Sequence, residues 1–346
     1  GWLLAPHLLG LLGTPAESLG FARDFLRVIF LAMPALLMQT LLMMALRGAG
    51  DALTPLVFMA LAVALDVVLN PVFILGLGPA PEMGIAGSAF ATALANYASL
   101  GAMLLYIYGR DLPLRLRGGE WAYLRPRANV LRLIFAKGTP MGVQMIVVSS
   151  AALTMLSLVN REGGDTTAAF GATQQLWTYI QMPAMALGAA VSAMAAQNIG
   201  AGNWARVGRI TGWGVVFNLV MTGGLVAAVT VLDAQAMALF LGEGSPAIEI
   251  GQHIQRVASW GFVAFGVTMV LFGTVRANGQ VIAPLMILIV SMYPVRLGVA
   301  LGLREWLGVD ALWWSFPASM CFTLLAAGAL YLQGGWRRAP ALRGAQ

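Results

Sequence analysis

Charge is scarce in this chain of 346 residues: 10% are Asp, Glu, Lys or Arg, against 59% hydrophobic, and the mean hydropathy is +0.80. A soluble domain needs far more polar side chain than that to cover its surface, so a soluble globular fold is excluded. Cysteine is scarcer still. Cys321 stands alone in an apolar run, so it forms no intrachain disulfide and says nothing of the redox compartment. The two histidines, His7 and His253, are too few and too far apart to read as a metal site. Also missing are G-x-x-x-x-G-K-[ST], H-E-x-x-H and G-x-S-x-G, the marks of nucleotide binding, zinc hydrolysis and a nucleophile elbow. No enzyme and no resident cofactor are expected. An ATP-driven pump would need a nucleotide domain, so work done by this chain would draw on an ion gradient.

What the chain has instead is a series of apolar segments of about 20 residues, the length of a helix that crosses a bilayer. They run apolar without period-2 alternation, which disfavours a transmembrane barrel. The expected fold is all-α, a polytopic membrane helical bundle with nine full spans: 24–46, 55–77, 84–108, 136–159, 170–195, 210–232, 254–275, 281–303 and 311–333. The opening run GWLLAPHLLGLLG is too short to span and lacks a basic region and cleavage site, so it reads as the stub of a cut span. The Arg-rich segment GRDLPLRLRGGEWAYLRPRANVLRL, 109–133, divides the chain. The expected organisation is an N-terminal lobe over 1–108, a linker over 109–135, a C-terminal lobe over 136–333 and a tail over 334–346.

Successive spans alternate direction, which sorts the loops into two sets. One set carries fourteen of the 20 Lys and Arg and the other carries five. The positive-inside rule puts the richer set, the linker and the C-terminus in the cytoplasm. The same placement explains the net charge of +6 without nucleic acid, because the basic residues sit in short loops beside apolar spans.

Two of those loops repeat one frame. RGAGDALTP, Arg47 to Pro55, and RANGQVIAP, Arg276 to Pro284, both read R-x-x-G-x-x-x-x-P at an offset of 229 residues. TPAESLG (14–20) and SPAIEIG (245–251) precede them at an offset of 231, so a two-residue indel lies between. The order of turn, span, frame and span is the same in both copies, and so is the orientation. That is a parallel repeat, the pattern of a two-lobed secondary transporter.

Few residues inside the spans carry chemistry. Asp66 lies mid-span in LVFMALAVALDVVLNPVFIL, with Asn70 one helical turn on and Pro71 removing a backbone donor. An acid at that depth faces the bundle interior, is protonated or has a partner. Desolvation favours the neutral acid and would suit proton coupling, whereas a bound Na⁺ would hold the carboxylate ionised among oxygen ligands. The bland alternative is a structural interhelical hydrogen bond. Arg296, past Pro294 and about halfway into its span, either snorkels to the interface or works in a cavity. The stretch 170–203 combines Gln174, Gln175 and Gln181 with Trp177, Tyr179, Met182, Met185 and a Pro183 kink, which suits an adaptable apolar cavity or simply packing.

Taken together, RGAGDALTP, DVVLNPVFILGLG, MGIAGSAFATALAN and MPAMALGAAVSAMAAQNIGAGNWARV resemble the multidrug and toxic compound extrusion (MATE) family, over almost the whole chain. The resemblance implies two pseudo-symmetric lobes, an original twelve helices of which this chain keeps nine and a stub, and a monomer when full length. It also implies an antiporter that exports drugs or organic cations in exchange for H⁺ or Na⁺. Many bacterial members carry N-x-x-x-D-P on the fifth helix; here the order is swapped, Asp66 then Asn70 before Pro71, with Thr92 matching a sixth-helix Thr. The implied coupling site is therefore Asp66, Asn70 and Thr92, with Na⁺ at Asp66 as the one metal. The seventh and tenth helices of another branch carry acids, but TPMGVQMIVVSS offers only Gln144 and FVAFGVTMVLFGTV offers none, which places coupling in the N-terminal lobe. The substrate cavity is assigned to Gln144, Gln174, Gln175, Trp177, Tyr179, Met182, Met185 and Arg296. The alternatives are a flippase for lipid-linked glycans, in a related fold with a cationic cavity, and a non-transporting membrane receptor.

Overall fold

A computed structural model describes residues 16–78 and 81–338. The stub 1–13, His7, the residues Thr14 and Pro15 of the first flanking repeat and the end of the tail from 339, including Arg343, lie outside the described residues. Every regular element described is helical. Eight helices are long and apolar enough to cross a membrane, and a bent pair makes a ninth if counted as one span.

The chain divides into two compact units at Arg125 and Pro126, within the Arg-rich segment. The first holds α1 (Ala16–Gly48), α2 (Leu53–Leu75), α3 (Gly84–Gly109) and a 3₁₀ helix, Gly118–Leu124. In this unit α3 packs along both α1 and α2. Gly87 lets α3 lie against α2, because a Cβ there would sit 2.3 Å from the Phe73 carbonyl oxygen. Tyr97 ties α3 to α1 by donating its hydroxyl hydrogen to the Leu31 carbonyl at 2.9 Å.

The second unit holds α4 (Ala128–Val159), α5 (Gly164–Gly200), α6 (Trp204–Val231), α7 (Asp233–Leu241), α8 (Ala247–Ala258), α9 (Gly261–Ala277), α10 (Ile282–Val290), α11 (Arg296–Gly302), α12 (Arg304–Leu307) and α13 (Asp310–Gln333). Helix α5 is the hub and packs on α6, α8 and α9. Its contact with α9 is backbone on backbone: a Cβ on Gly273 would meet the Gly188 oxygen at 2.4 Å, and one on Gly188 would meet the Met269 oxygen at 2.8 Å. Small residues allow such approach, which dispersion then rewards. The core beside it gathers Phe170, Trp177, Phe262, Trp313 and Phe316.

The two copies of the R-x-x-G-x-x-x-x-P frame fold alike. Gly50 (φ 96°) and Gly279 (φ 76°) take the left-handed conformation that ends a helix, and each donates its N–H to the carbonyl of the frame arginine, at 3.1 and 2.8 Å. Each frame proline is the third residue of the next helix, where a backbone N–H has no intrahelical partner to lose.

Two spans differ from the sequence expectation. The span placed at 254–275 is instead α8 and α9, broken at Ser259 and Trp260 and bent by 48°. Ser259 turns its hydroxyl onto the Gln255 carbonyl at the break, and Gly261 fits so closely against Pro317 that a Cβ would come within 2.9 Å of the Pro317 Cα. The span placed at 281–303 runs through a π-helical turn at Ser291–Val295 that contains Pro294, a residue with no N–H to give the ladder. Within the expected linker, helix α4 already begins at Ala128, after an exposed cluster in which Asp111 pairs with Arg115 at 2.9 Å and with Arg117.

Candidate functional site

Within the first unit a cleft of about 240 Å³ opens between α1, α2 and α3, and Asp66 faces it with Gln39, Thr40, Thr92 and Asn96. Asp66 is half-buried and, among the described residues, has no basic partner. Its Oδ1 accepts a hydrogen bond from the Thr92 hydroxyl at 2.8 Å, across a separation of 26 residues. Asn70 stands on the same side of α2, but its amide donates to the backbone carbonyl of Asp66 at 2.9 Å rather than to the carboxylate. The structure thus brings Asp66 and Thr92 together directly and places Asn70 as a brace on the backbone between Asp66 and the Pro71 interruption.

Three polar cleft residues, Gln39, Thr40 and Asn96, were not singled out from the sequence. Gln39, on α1, is 3% exposed and donates its amide hydrogen to Ser99 Oγ at 3.0 Å; Ser99 in turn donates to the Phe58 carbonyl at 2.6 Å. Asn96, one turn after Thr92 on α3, donates to the Thr92 carbonyl at 2.7 Å. The signal for Gln39 was its position inside MPALLMQTLLMM, where a lone amide in an apolar run demands a partner.

The deep cation of the second unit does not snorkel. Arg296 is 7% exposed, its Nε donates to Ser319 Oγ at 2.9 Å, and its guanidinium lies 4.7 Å from the centre of the Phe316 ring. Among the described residues no carboxylate comes within ion-pair distance of it.

A family profile described as MatE matches residues 1–72 and 140–301. The chain belongs to the MatE family. A curated relative, the probable multidrug resistance protein YoeA of Bacillus subtilis, is 32% identical over 340 residues, covering 98% of this chain and 73% of that one. The FAD transporter of Shewanella oneidensis is 29% identical over 204 residues, 58% of this chain and 44% of its own. Among solved structures, the Vibrio cholerae MATE transporter VcmN in its bent form superimposes with a TM-score of 0.85 at 18% identity, over 96% of this chain and 74% of that one. That likeness establishes the fold: an all-α, multi-pass membrane bundle of the MATE type.

Of the residues assigned to a substrate cavity, five share one exposed face of α5: Gln174, Gln175, Tyr179, Met182 and Met185. Gln175 donates to the Tyr179 hydroxyl at 3.3 Å, one turn along. Trp177 does not join them. It is 2% exposed, packs against Phe170, Phe262 and Phe316, and donates its indole N–H to Gln255 Oε1 at 2.8 Å, so it belongs to the MatE core of this unit rather than to a cavity. Gln144 is also committed elsewhere: its Oε1 accepts from Arg276 Nη2 at 3.0 Å, joining α4 to α9. Arg276 is the frame arginine of the second repeat, so this bond helps to hold the turn, as does Lys137, which donates to the Gly279 carbonyl at 2.6 Å.

Proposed function

We propose that this protein is a multidrug exporter of the inner membrane, an antiporter that moves small organic cations outward against an inward flow of H⁺ or Na⁺. Its C-terminus would lie in the cytoplasm, and it would act as a monomer. The observation that carries the reading is the Asp66 carboxylate: an acid inside an apolar span, without a basic partner among the described residues, facing a polar cleft and held by the Thr92 hydroxyl. A carboxylate in that setting is stable only with a proton or a cation on it, so its occupancy is tied to whichever side of the membrane supplies the ion. Loading and unloading then bias the two access states of the lobes, which is what coupling requires. The names of relatives such as YoeA support the substrate class.

Replacing Asp66 with Asn keeps shape and hydrogen bonding while removing the charge. Gradient-driven ethidium efflux should fall to the level of cells without the protein, at unchanged membrane abundance. Undiminished efflux by Asp66→Asn would sink the assignment.

A second reading rests on Arg296, whose buried guanidinium suits a substrate with an anionic group, as a flippase for lipid-linked glycans would carry. Thermal protection of the purified protein by a lipid-linked pyrophosphoryl sugar, with none by ethidium, would replace the first reading with this one.

A further inference from the structure

The Asp66 cleft is built of acceptors. The Thr92 hydroxyl spends its hydrogen on Asp66, the Thr40 hydroxyl on the Leu36 carbonyl at 2.7 Å, the Asn96 amide on the Thr92 carbonyl and the Gln39 amide on Ser99. Among the described residues the cleft therefore offers oxygen lone pairs, while each of these four side chains has already committed one N–H or O–H hydrogen elsewhere. One of those oxygens is orphaned: Gln39 Oε1 is fully buried and accepts no hydrogen bond from any described residue. The amide cannot simply turn over. Ser99 has a single hydroxyl hydrogen, and its 2.6 Å contact with the Phe58 carbonyl requires that hydrogen to lie between the two oxygens. Ser99 can then only accept, so Gln39 must present its nitrogen to Ser99 and its oxygen elsewhere.

We propose that Gln39 is a ligand of the coupling cation, its Oε1 joining the Asp66 carboxylate and the Thr92 hydroxyl oxygen so that the cleft takes a metal cation of the Na⁺ class rather than a proton alone. This rests on the Asp66 reading above and adds the identity of the ion and a residue from a third helix. A proton on Asp66 satisfies one carboxylate oxygen and leaves Gln39 Oε1 buried and unpaired. A hard cation is the partner that uses several oxygens at once, and a mixed set of carboxylate, carbonyl and hydroxyl oxygens suits it. The relay through Ser99 holds the Gln39 oxygen ready before the ion arrives, which lowers the cost of assembling the site.

The test is ion-dependent thermal unfolding of the purified full-length protein in detergent, followed by tryptophan fluorescence, with NaCl titrated against choline chloride at fixed ionic strength and repeated from pH 5 to pH 8. A ligand of the folded state raises the midpoint in proportion to its occupancy, so the titration yields a half-saturating Na⁺ concentration. The wild type should be stabilised by Na⁺. Gln39→Leu should raise the half-saturating concentration at least tenfold while keeping the pH response of Asp66. Gln39→Met, closer in length, should behave alike and guards against a folding defect in the Leu variant. Asp66→Asn should remove both the Na⁺ and the pH response. An unchanged Na⁺ midpoint in Gln39→Leu and Gln39→Met overturns the role of Gln39 and leaves Asp66 standing. So does a wild type that responds to pH and not to Na⁺, or one that tetramethylammonium stabilises as well as Na⁺ does. Retention of both responses in Asp66→Asn defeats the coupling reading itself.

Discussion

Gly273 offers the sharpest check on how the second unit is held together. An alanine there would place a Cβ 2.4 Å from the Gly188 carbonyl oxygen, where ordinary contact begins at 3.4 Å, so α9 and α5 would have to part by about 1 Å. No side-chain rotamer can relieve the clash, because the obstructing atom belongs to the backbone of α5. Helix α6 bridges the two, so parting them strains either the Thr211–Thr274 hydroxyl pair to α9 at 2.8 Å or the bond from the Asn218 amide to the Ala184 carbonyl of α5 at 3.3 Å. Overpacking of this kind costs about 1–3 kcal/mol, and the strained polar contacts put the expectation near the upper end. The control is Gly212→Ala on α6, also mid-helix but with nothing within 4 Å of its added Cβ; there the higher helix propensity of alanine should stabilise by up to about 1 kcal/mol. Equilibrium unfolding of both variants in mixed micelles of mild detergent and SDS measures the pair. A destabilisation of Gly273→Ala within about 0.5 kcal/mol of the Gly212→Ala value, well inside the expected overpacking cost, would refute the close-approach argument.

Two further predictions concern single hydrogen-bonded groups. Asp51 in the first frame turn accepts from the backbone N–H groups of Leu53 and Thr54 at 3.1 and 3.0 Å, and the hydrogen bonds from Thr54 hold its carboxyl below the usual range. A lowered folded-state value means stability that is fully present above the unfolded value of 3.8 and is lost as pH falls from there through the folded value, so Asp51→Ala should cost about 0.5–1 kcal/mol at pH 7 and progressively less below pH 4 by thermal melting. Trp177→Phe keeps the ring packing but strips the donor from Gln255 Oε1, and Gln255 Nε2 is already without a partner among the described residues. It should cost about 2 kcal/mol, and Trp177→Phe with Gln255→Leu should recover most of that; a double variant as unstable as the single one would show that the bond is not the source.

The parts of this fold that were legible in the sequence are those fixed by short-range rules. Span number follows from apolar length, and the R-x-x-G-x-x-x-x-P turns follow from a glycine that can take positive φ and a proline that tolerates the first turn of a helix. The break at Ser259 was hidden because an apolar window averages over it, and the cause, the fit of Gly261 against Pro317, comes from a helix more than fifty residues further on. Trp177 misled for a similar reason. A tryptophan between glutamines and methionines looks the same on either side of a helix, and its burial is decided by Gln255, 78 residues away. Gln39 went unnoticed because its partner is 60 residues distant and no charge marked the place. Asp66 was visible because a carboxylate in an apolar run is costly wherever it points, whereas an amide or indole becomes informative only once its face is known.

The repeated frame also explains where each unit places a charge in the middle of its second repeat span. Asp66 lies 19 residues after the first frame arginine and Arg296 lies 20 after the second, and each reaches a hydroxyl on a later long helix of its own unit: Thr92 of α3 at 2.8 Å, Ser319 of α13 at 2.9 Å. The same turn and the same helix order give each unit one depth at which a polar side chain on its second repeat helix meets a hydroxyl on its third. What the repeat does not fix is the sign. In the first unit the residue is an acid beside acceptor oxygens, and the hydroxyl donates to it. In the second it is a guanidinium, the hydroxyl accepts, and an aromatic face supplies the remaining stabilisation. On the proposed reading, a cation suited to the Asp66 position would find a like charge at the corresponding position of the second repeat. Duplication of the scaffold therefore would not duplicate the proposed ion site, because one residue of opposite sign is enough to close it to cations.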